Sequence, residues 1–281
     1  MLIEKALVAT DFSEPARQLV NSVEELKAAG LKEVLLMHVV NASADYSILK
    51  SMQDNSEQEL AKERQKIENL GLEVKTLISV GSPANEITQI AQKEKMDLIL
   101  IAAHGKGYVK EVLLGSTTFD VVRISEVPVL VEKFKNIGSA DCQAVTEEKF
   151  KKVLIPTDFS ERSLSFIDKL KEAKDIIEEV VLLSVIEWSK SKPEFEEFKD
   201  KSYQQLKKLR SEFEELGIKV TNEVRAGYSA GGILAVAEEK DVSLIAMATR
   251  GAGTIKGLFI GSTANEVVRK AKQPVLLDPS F

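Results

Sequence analysis

Leu98-Ile99-Leu100-Ile101-Ala102 runs without a polar residue into Ala103-His104-Gly105, and Leu244-Ile245-Ala246-Met247-Ala248 runs likewise into Thr249-Arg250-Gly251. A short apolar run that does not alternate suits a strand covered by helices on both faces. Four more β-branched runs accompany each: residues 5–9, 34–40, 73–79 and 129–132 beside 98–102, then 153–156, 180–186, 219–225 and 275–277 beside 243–247. Helical stretches separate them, the pattern of strands joined by crossover helices in a parallel sheet. The chain is therefore expected to form doubly wound α/β domains, each a five-stranded parallel sheet with helices on both faces.

The repeat extends over nearly the whole sequence. Val8-Ala9-Thr10-Asp11-Phe12-Ser13 returns as Ile155-Pro156-Thr157-Asp158-Phe159-Ser160, and Leu113-Leu114-Gly115-Ser116-Thr117 as Phe259-Ile260-Gly261-Ser262-Thr263. Gly81, Gly105, Gly115 and Pro128 each recur 146 residues later as Gly227, Gly251, Gly261 and Pro274, whereas Asp11 and Asp158 stand 147 apart. A period this long is a whole domain and far beyond a solenoid unit. Domains are expected at 1–135 and 150–281, with a linker at 136–149 that carries no strand signal.

With 281 residues, 44% hydrophobic, 29% charged and a net charge of −6, the chain has the composition of a soluble globular protein. It has no basic footprint for nucleic acid, no basic leader and no apolar run of membrane-spanning length, so a cytoplasmic location is expected. The lone Cys142 excludes an intrachain disulfide and reads as a free linker thiol. Phe195, Phe198, Leu206, Leu209, Phe213 and Leu216 form an apolar stripe ended by Gly217, expected to pack on its own sheet.

Two elements in each copy have the chemistry of an anion site. Gly105 and Gly251 let the backbone turn sharply, and nine residues on, Gly115-Ser116-Thr117 and Gly261-Ser262-Thr263 open a helix whose free N–H groups favour phosphate. A plain helix cap is the competing reading of Gly-Ser-Thr. Asp11 and Asp158 end the first strand of each copy, where open parallel sheets bind ligands. They are expected to face the glycine loop from across the crevice and to accept hydrogen bonds from a base or ribose, or else, with Ser13, to cap the helix near Pro15. His104 and Arg250 occupy one place in the two loops, which predicts tighter binding in the second copy. His38 and His104 have no spacing that suits a metal site.

These motifs, with His38-Val39 and Ser184-Val185 ending the second strands and the closing Val127-Pro128-Val129-Leu130-Val131, resemble the universal stress protein family, as a tandem pair. The resemblance implies an adenine nucleotide alpha hydrolase-like fold with strand order 3-2-1-4-5, and binding of ATP or AMP, with Mg2+ or Mn2+ held by the nucleotide phosphates rather than by side chains. By position it implies one site at Thr10, Asp11, Val39, Ala102, His104, Gly105, Gly115, Ser116 and Thr117. The other comprises Pro156, Thr157, Asp158, Val185, Ala248, Arg250, Gly251, Gly261, Ser262 and Thr263. Ala102 and Ala248 replace the first glycine of the family's nucleotide pattern, which bears on the choice among ATP, ADP and AMP. The resemblance also implies that the last strands of the two domains meet as an intramolecular pseudo-dimer, with homodimerisation open.

Three other functions fit the sequence less well. Slow ATP hydrolysis has no Walker Gly-Lys-Ser/Thr loop or paired carboxylates to support it. A nucleotide-free interaction module does not account for the retained glycines, and a response-regulator-type phosphoacceptor lacks the necessary acidic cluster.

Overall fold

The computed structural model describes residues 3–41, 46–105, 114–139, 141–187, 192–250 and 260–279, with backbone alone for 46–52 and 192–195. Contacts divide the chain into two compact units, Leu2–Glu147 and Glu148–Phe281. The first contains β1 (Lys5–Ala9), α1 (Glu14–Arg17), α2 (Leu19–Ala28), β2 (Glu33–Asn41), α3 (Tyr46–Glu68), β3 (Glu73–Gly81), α4 (Pro83–Lys93), β4 (Leu98–Ala102), α5 (Ser116–Ile124) and β5 (Val129–Glu132). A two-stranded antiparallel pair follows, β6 (Phe134–Lys135) with β7 (Gln143–Ala144). The second unit repeats the plan with β8 (Lys152–Pro156), α6 (Glu161–Lys171), β9 (Glu179–Ile186), α7 (Lys192–Glu214), β10 (Lys219–Ala226), α8 (Ser229–Glu239), β11 (Leu244–Ala248), α9 (Ser262–Lys270) and β12 (Val275–Asp278).

The strands of the first unit lie parallel in the order β5-β4-β1-β2-β3, and those of the second in the order β12-β11-β8-β9-β10. Both match the expected 3-2-1-4-5. Leu7 pairs with Leu35 on one side and Ile99 on the other, and Leu98, Ile99 and Leu100 are wholly buried. The run without alternation is thus a central strand sealed on both faces. In the first unit α2 packs with α3 and α4 with α5, two helix layers on opposite faces, as expected where the chain leaves β1 in one direction and returns to β4 from the other. A crevice opens over the carboxyl ends of β1 and β4.

Two expectations need correction. Within the linker read as strandless, 143–144 is strand and pairs with 134–135 just before it, because a two-residue pairing carries no periodicity for sequence to display. Cys142 beside it is buried, and burial pushes its thiol up. On α7 the buried row is Ser202, Leu206, Leu209 and Phe213, whereas Phe198 and Leu216 are exposed; the side chain of Phe195 lies outside the described residues. A helix of 23 residues extends roughly 34 Å, and the 8-residue strand beneath it roughly 26 Å, so its end residues overhang the sheet.

Candidate functional site

The site begins with the turn after the first strand. Thr10 continues β1 with its N–H bound to the Met37 carbonyl at 2.9 Å, and Thr157 repeats this on Leu183 at 2.8 Å. The chain then reverses at a residue in the left-handed region, Phe12 at φ 60° and Phe159 at φ 59°. A bulky side chain there costs on the order of 1–3 kcal/mol, so the same outlier in both units marks a turn fixed by its surroundings. The Thr10 hydroxyl accepts the Phe12 N–H at 3.1 Å and Asp11 Oδ1 the Ser13 N–H at 2.9 Å; Thr157 and Asp158 do the same at 3.0 and 3.0 Å. Ser13 and Ser160 cap α1 and α6. The helix-cap role thus falls to the serine, and the aspartate braces the turn with one oxygen.

The other wall is the start of the last helix. Gly115 is the N-cap of α5 and Gly261 of α9, in extended backbone, and neither helix has a side-chain cap bond. Their N–H groups are spent on the Ala103 and Thr249 carbonyls at 2.8 and 2.7 Å. The first-turn N–H groups beyond them have no capping side chain, which leaves the positive helix end to a ligand. A Cβ would stand 3.2 Å from the Ala103 carbonyl oxygen at Gly115 and 3.1 Å from that of Thr249 at Gly261, so the glycines keep both cradles clear. A Cβ on Gly105 would collide with the Asp11 carboxylate. The structure therefore brings Asp11 against the loop, not across the crevice from it. Gly251 lies outside the described residues.

These walls enclose a cavity of about 480 Å³ in the first unit, lined by Thr10, Asp11, Val39, Ala102, His104, Gly105, Gly115, Ser116 and Thr117. In the second, a cavity of about 650 Å³ is lined by Pro156, Thr157, Asp158, Val185, Ala248, Arg250, Gly261, Ser262 and Thr263. Every described candidate is brought together. Sequence reasoning missed the wall from the helix after the third strand: Pro83 and Ile87 on α4, Ser229 and Ile233 on α8. The available signal was the Gly81 to Gly227 repeat just before them. It also missed His38, Thr118, Thr249 and Glu187 as lining residues. Thr118 donates its hydroxyl to the Ala102 carbonyl at 2.7 Å, and Ser229 donates to Glu187 at 3.0 Å.

Behind the first cavity stands a polar hub. His38 Nδ1 lies 2.7 Å from the Thr10 carbonyl oxygen, and its ring packs on Phe12 with centroids 4.4 Å apart. Glu63 on α3 is buried. Burial pushes its carboxyl up from the ordinary value, opposed by the Thr10 hydroxyl and by the charges of Arg17 and Lys66. In the second unit Thr157 is met by the Ser163 hydroxyl at 2.8 Å. Among the described residues no group of three or more His, Cys, Asp or Glu is placed to hold a metal ion, and no helix is long and apolar enough to cross a membrane.

Fold and site together define a duplicated α/β domain with, in each unit, a cavity at the sheet's switch point beside a helix N-terminus that no side chain caps. The chain belongs to the universal stress protein family, whose model matches residues 3–133 and again 149–279. One relative, universal stress protein MJ0577 of Methanocaldococcus jannaschii, is 36% identical over 159 residues, covering 48% of this chain and 98% of its own. Another from that organism, MJ0531, is 33% identical over 145 residues, covering 47% and 83%. The crystal structure of a universal stress protein from Archaeoglobus fulgidus superposes with a TM-score of 0.77 at 25% identity, covering 97% of this chain and 95% of that one.

Proposed function

We propose that each unit binds an adenine nucleotide, ATP, ADP or AMP, and that occupancy of the two sites carries a regulatory signal in a stress response. The observation that carries this reading is the repetition of one cradle: an uncapped helix N-terminus behind a glycine that no Cβ could replace without crowding a backbone carbonyl, in both units. Ser116 and Ser262 would meet the phosphates. Val39 and Val185, with Asp11 or Asp158, would meet the base and ribose. Ala102 and Ala248 put a methyl group where the family's nucleotide-binding pattern has glycine. Any divalent cation would be held by the phosphates, the ligands that Mg2+ ordinarily adds to a few protein oxygens.

The test is calorimetric titration of the nucleotide-stripped chain with ATP, ADP and AMP, with and without Mg2+. Two sites per chain at micromolar affinity are expected. Gly115→Val or Gly261→Val should each reduce the count to one, because a valine Cβ crowds the carbonyl and its methyl groups fill the cradle. Absence of heat with all three nucleotides would leave a nucleotide-free interaction module.

A further inference from the structure

The chain has two histidines, and both line the first cavity. Because His38 Nδ1 faces a carbonyl oxygen, Nδ1 carries the hydrogen of the neutral ring, and a proton gained by the imidazole goes to Nε2. His104 follows β4, beside the cradle. Glu63 adds a third titratable group, reached through the Thr10 hydroxyl. The second unit has Ser184, Arg250 and Leu209 at these three positions, none of which changes charge near neutral pH.

Among the described residues, the remaining charged groups do not cancel this difference. Asp11 is matched by Asp158, and each lines its cavity. Arg17 of α1 and Glu59 and Lys66 of α3 surround Glu63. Helices α4 and α5 contribute only Pro83, Ile87, Ser116, Thr117 and Thr118 to the lining, none titratable, and Glu187 is a charge peculiar to the second cavity. A polyphosphate brings several negative charges to the cradle. Each proton taken up by His38, His104 or Glu63 makes the surroundings of that charge more positive, so all three act in one direction. Linkage then makes the effect reciprocal: the bound phosphates favour protonation, and protonation favours the bound phosphates.

We infer that the first site couples nucleotide binding to proton uptake, so that acidification fills it, whereas the second site holds its ligand without such coupling. The inference rests on the nucleotide reading of the two cavities. It is tested on the full chain by calorimetry with ATP, the first site read in Gly261→Val and the second in Gly115→Val, from about pH 5.5 to about pH 8 and in buffers of different ionisation heat. ATP's own terminal phosphate titrates in this range, and the second site supplies the reference for it.

First-site affinity should fall about tenfold more than second-site affinity across the interval, the effect of one imidazole shifted by about one unit on binding. The buffer dependence of the heat should show net proton uptake at the first site alone. The double variant His38→Ser, His104→Arg, which installs the second unit's residues, should lose most of the excess slope. Equal slopes at the two sites, or an excess slope that survives in the double variant, would overturn the inference while leaving the nucleotide reading intact. Absence of ATP binding at either site would remove both. If the variants do not fold, the wild-type chain decides: ATP binding at two sites with no net proton uptake, or with one pH dependence common to both, overturns the proposal.

Discussion

The two long crossover helices, α3 and α7, share a length, a sheet partner and a buried row, yet one hides a carboxyl group where the other hides a leucine. Leu60, Glu63 and Ile67 in the first unit match Leu206, Leu209 and Phe213 in the second, all nearly inaccessible. The cost of burying Glu63 is offset in part: the Thr10 hydroxyl donates to it, and Arg17 and Lys66 add positive charge. Their counterparts are Leu164 and Glu212, and Thr157 already has Ser163 as a partner. A buried polar residue is thus a property of a neighbourhood, and the repeat preserved the backbone while letting one neighbourhood become ionic and the other apolar.

The harshest way to break this comparison is to exchange the buried residues. Leu209→Glu would place a carboxylate beside Glu212 without the arginine that steadies Glu63, and should destabilise the second unit by about 3–5 kcal/mol. Denaturant unfolding followed by the fluorescence of Trp188, the one tryptophan of the chain, reads that unit. A loss under about 1 kcal/mol would show that the neighbourhood does not matter.

The sheet was readable because its strongest signals are long-range repetitions of short apolar runs, which tertiary context has little freedom to override. Leu98–Ala102 is wholly buried, as its lack of alternation implied. The glycine cradle was readable for a similar reason: Gly115 and Gly261 stand where a Cβ would crowd a backbone carbonyl. The α4 and α8 walls escaped although Ile87 recurs as Ile233, because an isoleucine on a helix that follows a strand reads as core packing and gives no sign of facing a cavity. Asp11 was misplaced because no spacing rule reports that a carboxylate folds back against the loop that a neighbouring strand delivers. The hub around Glu63 lay hidden in the 23-residue α3, where one acidic residue among many gives no sign of facing inward.

The ends of the last strands carry a milder contrast. Glu132 accepts the Ser22 hydroxyl at 2.6 Å, and Asp278 is paired with Lys169 at 3.0 Å in the equivalent place. One residue on, the first unit buries Lys133, whereas the second has Pro279. Burial pushes the Lys133 ammonium down to about 8, below its ordinary value. Between that value and the unfolded one, the unfolded chain binds the extra proton, so stability rises with pH across about 8 to 10.5 and the cost is fully present below it. Lys133→Met keeps the apolar stem and should stabilise the first unit by about 1–3 kcal/mol at neutral pH, with the gain shrinking through that window. Hydrogen exchange of the first unit's strands measures it; a gain that does not change with pH would mean that packing, not charge, is responsible.

The smallest expected effect is also the most discriminating, because it concerns a single loop position in two otherwise similar cavities. Arg250 lines the second cavity where His104 lines the first, and a permanent cation beside a bound phosphate would add Coulomb attraction and a forked donor that a neutral imidazole lacks. Arg250→Ala should weaken ATP binding at the second site about tenfold and leave the first unchanged. Arg250→His is the sharper experiment. If this position sets the difference, the substitution should retain most of the affinity under mildly acidic conditions, lose it as the pH rises past neutrality, and confer on the second site part of the pH slope expected at the first. A second site that binds ATP equally well with arginine, histidine or alanine would show that Arg250 only borders the cavity, and that the helix N-terminus alone holds the phosphates.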